Sequence, residues 1–411
     1  MLSAMEGAWW RAFALLGRYA ALRRYWLVGM ASEVGDVMAW VALPWLVLRS
    51  TGSGPAAAGV LLVLELPAVL SGALLGALSD RFQPRAVMVV DNAVRMAIFV
   101  AVAALYAAGS LPFWLLLTLV GLAGALQPAT LVGGRVLLPE LVADHDLDAA
   151  NMLVSLGVSL SVVVGPAVAG LLLATVGGTV VLVLDALTFA GMATVSWTLP
   201  RVVRAPTPRA PERPPSFAER FGWRQVWSTP IVRVTTLLSL VFFFSYGPLE
   251  AAMPVFSARV LGTDAGGFGL LWTALGVGML AGTVLSVAVG RRVRVGVALA
   301  GIAVLWGACL LPLLVVRQVG WAACFLALGG LVWGPYVPLE TTLLQGNVPR
   351  SELGRVFGAR TTLLTSGAPL GIAVGGAMLT VLPSTVMRTA PFSTTPSQSS
   401  TPSAFTICPS R

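Results

Sequence analysis

Eleven mostly apolar runs, each of about 20 residues or more, follow one another along this 411-residue chain. They lie near 24–48, 55–79, 86–108, 111–132, 150–174, 178–199, 231–259, 265–289, 295–316, 319–345 and 355–382. A helix of that length crosses a hydrocarbon core of about 30 Å. Inside lipid every backbone amide needs a partner within the chain, so only helices and closed barrels span. Barrel strands would show alternating segments of about ten residues, which these runs are not. The expected fold class is therefore an all-α polytopic membrane protein. Charged residues make up only 10% of the chain, against about 25% in soluble domains. That excludes a soluble enzyme, a nucleic-acid-binding domain and a disordered chain.

Orientation follows from the arginines, which supply all 26 basic residues. With the N-terminus placed inside, 20 arginines fall in cytoplasmic segments and five outside, Arg95 lying within the third run. Such a bias is the positive-inside signature of a cytoplasmic N-terminus. Arg11, Arg18, Arg23 and Arg24, set among Trp and Leu, make the N-terminus an amphipathic lead-in on the membrane surface without a signal-peptide cleavage site. Cys309 and Cys324 lie inside apolar runs, and three cysteines are too few for a disulfide framework.

The stretch 200–228 is rich in Arg and Pro and reads as a cytoplasmic linker between an N-terminal bundle of six helices (1–199) and a C-terminal one (229–383). The halves repeat. Shifting the chain by 206 residues aligns 137–170 with 343–376 without a gap and with eight identities in 34 positions. The same shift lays spans 1–5 on spans 7–11. It also predicts a twelfth span at 384–405, where the chain does not supply one: from 384 to 411, 17 of 28 residues are Ser, Thr or Pro. The expectation is six spans plus five, with a disordered tail and a frameshift or truncation behind it.

Two six-helix bundles joined by a basic loop resemble the major facilitator superfamily. The loop after span 2 is similar to the family's G-x-L-x-D-R signature at Gly76, Leu78, Asp80 and Arg81, followed by Arg85. Gln83 and Pro84 stand where the family has Gly and a first Arg, and Ser286 stands where the repeat would place a second Asp. Span 5 carries Gly165-Pro166 and Gly170, similar to a shortened antiporter motif. Gly35-Asp36, Leu138-Pro139-Glu140-Leu141-Val142 with Ala150-Asn151, and Gly354-Arg355-Val356-Phe357 resemble the enterobactin- and macrolide-type exporters. The resemblance covers about 20–382. It implies that the loop 2–3 motif is a cytoplasmic latch and that spans 1, 4, 7 and 10 line a central cavity. Small residues in span 5 would let it pack closely on a neighbour.

Ionisable residues within spans are costly and default to functional hypotheses. The acids are Glu33, Asp36, Glu65, Asp91, Asp185, Glu250 and Glu340. Asp91 and Arg95 stand four apart on one helix and are expected to pair with each other. Glu65 and Asp185 show no evident partner. Span 1 places Glu33, Asp36 and Trp40 on one face. Spans 7 and 10 repeat one pattern, Phe243, Tyr246, Glu250 and Trp333, Tyr336, Glu340. The repeat offset pairs Trp40 with Tyr246 and Gln127 with Trp333. Aromatic walls with a few acids suit an amphipathic or cationic molecule, although the same residues also read as ordinary packing. Pro248, Pro254, Gly334, Pro335 and Pro338 are expected kinks.

Asp144 and Asp146 flank the single His145, read as a solvated side chain. No metal site, cofactor site or nucleotide-binding loop is present in the sequence. The expected function is secondary export of small organic molecules across the cytoplasmic membrane, driven by protons, by a monomer whose partners are the lipid bilayer, its substrate and protons. An uptake transporter and a non-transporting remnant are the alternatives; a polytopic membrane enzyme is disfavoured because no catalytic cluster stands on one membrane side.

Overall fold

The computed structural model describes residues 2–201, 223–349 and 352–381. Most of the 200–228 linker and all of the 384–411 tail lie outside the described residues, so the expectations placed on them stand only as stated. Among the described residues the chain is helical, without strands, and eleven helices are long and apolar enough to cross a membrane. Their order follows the hydropathy runs because each run must close its backbone hydrogen bonds within itself.

Contacts divide the chain into two compact units, drawn from residues 1–53 and 60–204 and from residues 54–59 and 205–393. The first begins with α1 (Leu2–Arg18), the amphipathic lead-in, and continues with α2 (Ala20–Thr51), α3 (Gly54–Arg81) and α4 (Pro84–Ala107). Then come α5 (Phe113–Leu126), α6 (Pro128–Leu141), α7 (Leu147–Thr175) and α8 (Gly178–Thr198). Pro128 has no N–H to give, and it starts a new helix where the sequence predicts one continuous fourth span. α2 lies against α7 and α8, and α4 lies against α8 and α6. Ala12 and Leu15 of α1 join Leu22, Trp26, Leu137 and Leu153 in a buried cluster, and Trp26 Nε1 donates to Leu153 O at 2.6 Å.

The second unit contains α9 (Trp223–Ser228), α10 (Pro230–Val255), α11 (Ala265–Arg292) and α12 (Val295–Leu310). α13 (Val319–Trp333), α14 (Tyr336–Asn347), α15 (Leu353–Thr365) and α16 (Gly367–Val381) follow. Of the expected kinks, Gly334-Pro335 separates α13 from α14, α10 runs on through Pro248, and a π-helical turn at Phe256–Val260 follows Pro254. The eleventh span breaks as well, at Ser366, three residues before Pro369, which has no N–H for the carbonyl of Thr365. α11 lies against α13 and α10 against α16 through glycines. Lipid gives helices little hydrophobic reason to associate, so close approach and polar contacts between helices supply the adhesion.

Candidate functional site

In the first unit the polar residues of α2, α4, α6 and α8 converge on Arg95. Arg95 is 5% exposed, and its guanidinium forms an ion pair with Asp36, Nη2 donating to Oδ1. Its Cζ lies 4.0 Å from the Phe189 ring centroid, so the guanidinium rests on an aromatic face. Asp91 and Asp185 lie within its electrostatic reach. Asp91 Oδ2 accepts from Thr130 Oγ1 at 2.5 Å, and Thr130 in turn accepts from Asn92 Nδ2 at 2.7 Å. The expected Asp91–Arg95 pair is electrostatic only, without a direct hydrogen bond. Along one helix the guanidinium can reach four residues, but here Asp36 on the neighbouring helix receives its hydrogen bond and Asp91 takes a hydroxyl instead.

Glu33 stands half-buried one turn before Asp36 on α2. Trp40, one turn further on, donates from Nε1 to Glu65 Oε1 at 3.0 Å, giving Glu65 the partner that the sequence left open. Asp185 is fully buried, and Thr188 Oγ1 approaches its Oδ1 at 3.4 Å. Arg95 Nε, Asp91 Oδ1 and Asp185 Oδ2 are buried with no hydrogen-bond partner among the described residues.

The second unit brings together the aromatic residues of spans 7 and 10. Tyr246 and Trp333 lie with ring centroids 5.2 Å apart, Phe243 and Trp333 at 5.8 Å, and Phe243 and Tyr336 at 6.4 Å. Phe242, which the face pattern passed over, stacks on Tyr336 at 4.1 Å, and Trp306 of α12 stands edge-on to Trp333 at 4.8 Å. Beneath these rings Glu340 forms an ion pair with Arg360, whose Nε donates to Thr236 Oγ1 at 2.8 Å. Ser239 donates to Glu340 Oε1, and its hydroxyl meets Tyr336 Oη at 3.0 Å. Arg360, within α15, is 2% exposed.

Thr236 and Ser239 extend the face of Phe243, Tyr246 and Glu250 by two further turns, a signal present in the sequence. Arg360 carried a weaker signal, being masked by Arg350 and Arg355 before it. Glu250 is buried in α10, and Gln127, in the first unit, is exposed at the α5–α6 junction.

Of the signature after span 2, Gly76, Asp80 and Arg81 occupy the last turns of α3, and their side chains lie outside those described. Arg85 Nη1 donates to Leu199 O at 3.1 Å, tying the start of α4 to the end of α8. Gly165, Pro166 and Gly170 are buried in α7. A Cβ at Gly165 would meet Val37 Cβ at 2.6 Å, so only glycine lets α7 approach α2 this closely. His145, exposed, lies 3.4 Å from Asp146, which also accepts from Arg18 and from Tyr19 Oη.

Residues 25–372 match the sequence profile of the Major Facilitator Superfamily. The chain belongs to that superfamily. The multidrug efflux pump Tap of Mycobacterium tuberculosis is 30% identical over 366 residues, covering 84% of each chain. The enterobactin exporter EntS of Salmonella typhimurium is 26% identical over 393 residues, covering 90% of this chain and 88% of its own. The fold agrees with that of a bacterial homologue of the human lysosomal transporter Spinster, at a TM-score of 0.68 and 16% identity over 87% of this chain and 80% of the other. A bacterial homologue of the iron transporter ferroportin gives 0.66 and 15% over 87% and 91%. The chain is thus a multi-pass membrane protein of a transporter superfamily.

Proposed function

We propose that this protein exports small amphipathic organic molecules across the cytoplasmic membrane in exchange for protons, with its N-terminus in the cytoplasm. The direction rests on the named activities of its relatives, Tap and EntS. The orientation rests on the arginine distribution. The coupling rests on one observation: a single buried guanidinium, Arg95, faces the carboxyl groups of Asp36, Asp91 and Asp185. One cation against three carboxylates leaves a deficit of positive charge, and in a weakly polar interior a proton or a cationic substrate fills it.

In this reading Asp36 is the proton-carrying group. A proton on Asp36 removes the anionic partner of Arg95, which then turns to Asp91 or Asp185, and that exchange biases the two arrangements of a bistable bundle. The half-buried rings of Phe243 and Tyr246, beside Trp333, offer π faces to an amphipathic cation. Asp80, Arg81 and Arg85 act as the cytoplasmic latch, and Gly165, Pro166 and Gly170 as the close-packing seam.

The test is uphill transport. Inside-out vesicles acidified within should accumulate ethidium when the wild-type chain is present, and collapsing the pH gradient should release it. Asp36→Asn should fail to accumulate ethidium while remaining folded in the membrane. Accumulation by that variant at the wild-type rate would exclude Asp36 from coupling.

A further inference from the structure

The three acids around Arg95 differ in what reaches their oxygens. Asp36 Oδ1 accepts from Arg95, and Asp91 Oδ2 accepts from Thr130 at 2.5 Å. Asp185 of α8 is 0% exposed, and its Oδ2 meets no hydrogen-bond partner among the described residues. Thr188 Oγ1 stands 3.4 Å from its Oδ1, but a threonine has a single hydroxyl proton, and that proton goes to the Asp185 carbonyl oxygen at 2.7 Å. Among the described residues, then, no donor satisfies this carboxyl. Buried without a partner, an ionised carboxyl is far more costly than a neutral one.

The surroundings of Asp185 set it beside the ion pair. A Cβ at Gly35 of α2 would meet Asp185 Oδ1 at 2.5 Å and Thr188 Oγ1 at 2.7 Å, so glycine leaves the room that this carboxyl occupies. The next residue along α2 is Asp36. On α8, Phe189 follows Asp185 by one turn, and the Arg95 guanidinium already rests on that ring at 4.0 Å. The charged groups facing Asp185 are thus Asp36 from α2 and Arg95 from α4, with Asp91 in reach of the same guanidinium. α7, which also touches α8, carries no charged residue beyond Asp148 in its first turn.

We propose that Asp185 carries the resident proton of this cluster and is the second station of the exchange, so that one proton and the Arg95 guanidinium trade places between Asp185 and Asp36. This rests on the reading of Asp36 as the proton-carrying group. When Asp36 takes up a proton, Arg95 leaves it and pairs with Asp185, which gives up its own. One O–H bond forms at Asp36 as another breaks at Asp185. Before and after, the two acids hold one proton and one guanidinium, so the buried charge stays constant and neither carboxylate is left without a partner. Asp91 is not the second station, because the Thr130 hydroxyl already donates to it.

Infrared spectra of the full chain in vesicles read this proton directly. At neutral pH the difference between wild type and Asp185→Asn should contain the C=O stretch of a protonated carboxyl, because the amide keeps the shape of the acid and lacks that group. In the Asp36→Asn background the same subtraction should contain none, since Arg95 then pairs with Asp185 and ionises it. Asp185→Asn should stay folded and lose uphill accumulation of ethidium, and Asp185→Glu should recover it. A band that persists in the Asp36→Asn background would make Asp185 a static buried acid. No band in the wild type, or an Asp185→Asn chain that fails to fold, would mark an ionised and paired carboxylate. Full accumulation by Asp185→Asn would exclude it from the exchange. Each of these results overturns the inference and leaves the Asp36 reading standing; a wild type that accumulates no ethidium overturns that reading instead.

Discussion

Arg95 and Arg360 are the buried basic side chains among the described residues, and each answers an acid on another helix. Removing one member of a buried ion pair costs about 3–5 kcal/mol, because the other charge stays behind without water. Arg95→Met should therefore lower the detergent melting temperature sharply, leaving Asp36, Asp91 and Asp185 with no cation. Arg360→Met and Glu340→Gln should each destabilise the second unit, and the double variant should recover much of the loss. A double-mutant cycle in thermal unfolding checks this, and purely additive losses would show that the pair contributes no coupling. Sequence spacing located both acids but neither partner. It could see that Asp91 and Arg95 share a helix face; it could not see α2 placing Asp36 nearer, because which helices adjoin is a tertiary fact. The serine and threonine below Phe243 were legible as one continued face, whereas Arg360 looked like one more topogenic arginine.

At the scale of the element, the break between α13 and α14 shows how a membrane helix survives proline. Pro338 has no N–H for the carbonyl of Gly334, one turn earlier. Thr283 Oγ1 of α11, which donates to Met279 O at 2.8 Å, also reaches that carbonyl at 3.1 Å. The approach is possible because Gly278, Gly282, Gly330 and Gly334 line the α11–α13 contact, where a Cβ at any of them would run into the opposing backbone. Gly278→Ala should push the helices apart and abolish folded protein in size-exclusion profiles. Thr283→Val should be milder, at about 0.6 kcal/mol, the usual worth of one interhelical hydrogen bond in a membrane. It should leave a folded protein with altered opening of the hinge, measured as a changed rate of substrate exchange. The Gly-Pro pair foretold the break from sequence alone. The break at Ser366 was not foretold, although Pro369, which has no N–H for the carbonyl of Thr365, carried the signal.

At the scale of the whole molecule, the span count was legible because the bilayer reduces the question to length and polarity, and hydropathy reports both. The arginine bias adds orientation: a cysteine at Arg209, in the linker, should react with a membrane-impermeant thiol reagent only after cells are permeabilised. What hydropathy does not report is what moves. The central claim is that protons move against substrate through Asp36, and the most direct test is to observe the proton. Purified protein is sealed in vesicles holding a pH-sensitive dye, and an ethidium gradient is imposed at equal starting pH. Wild-type protein should drive protons in the direction opposite to ethidium. Asp36→Asn should exchange labelled for unlabelled ethidium while moving no protons. Ethidium transport by the wild type without proton movement, or undiminished proton movement in Asp36→Asn, would contradict the account.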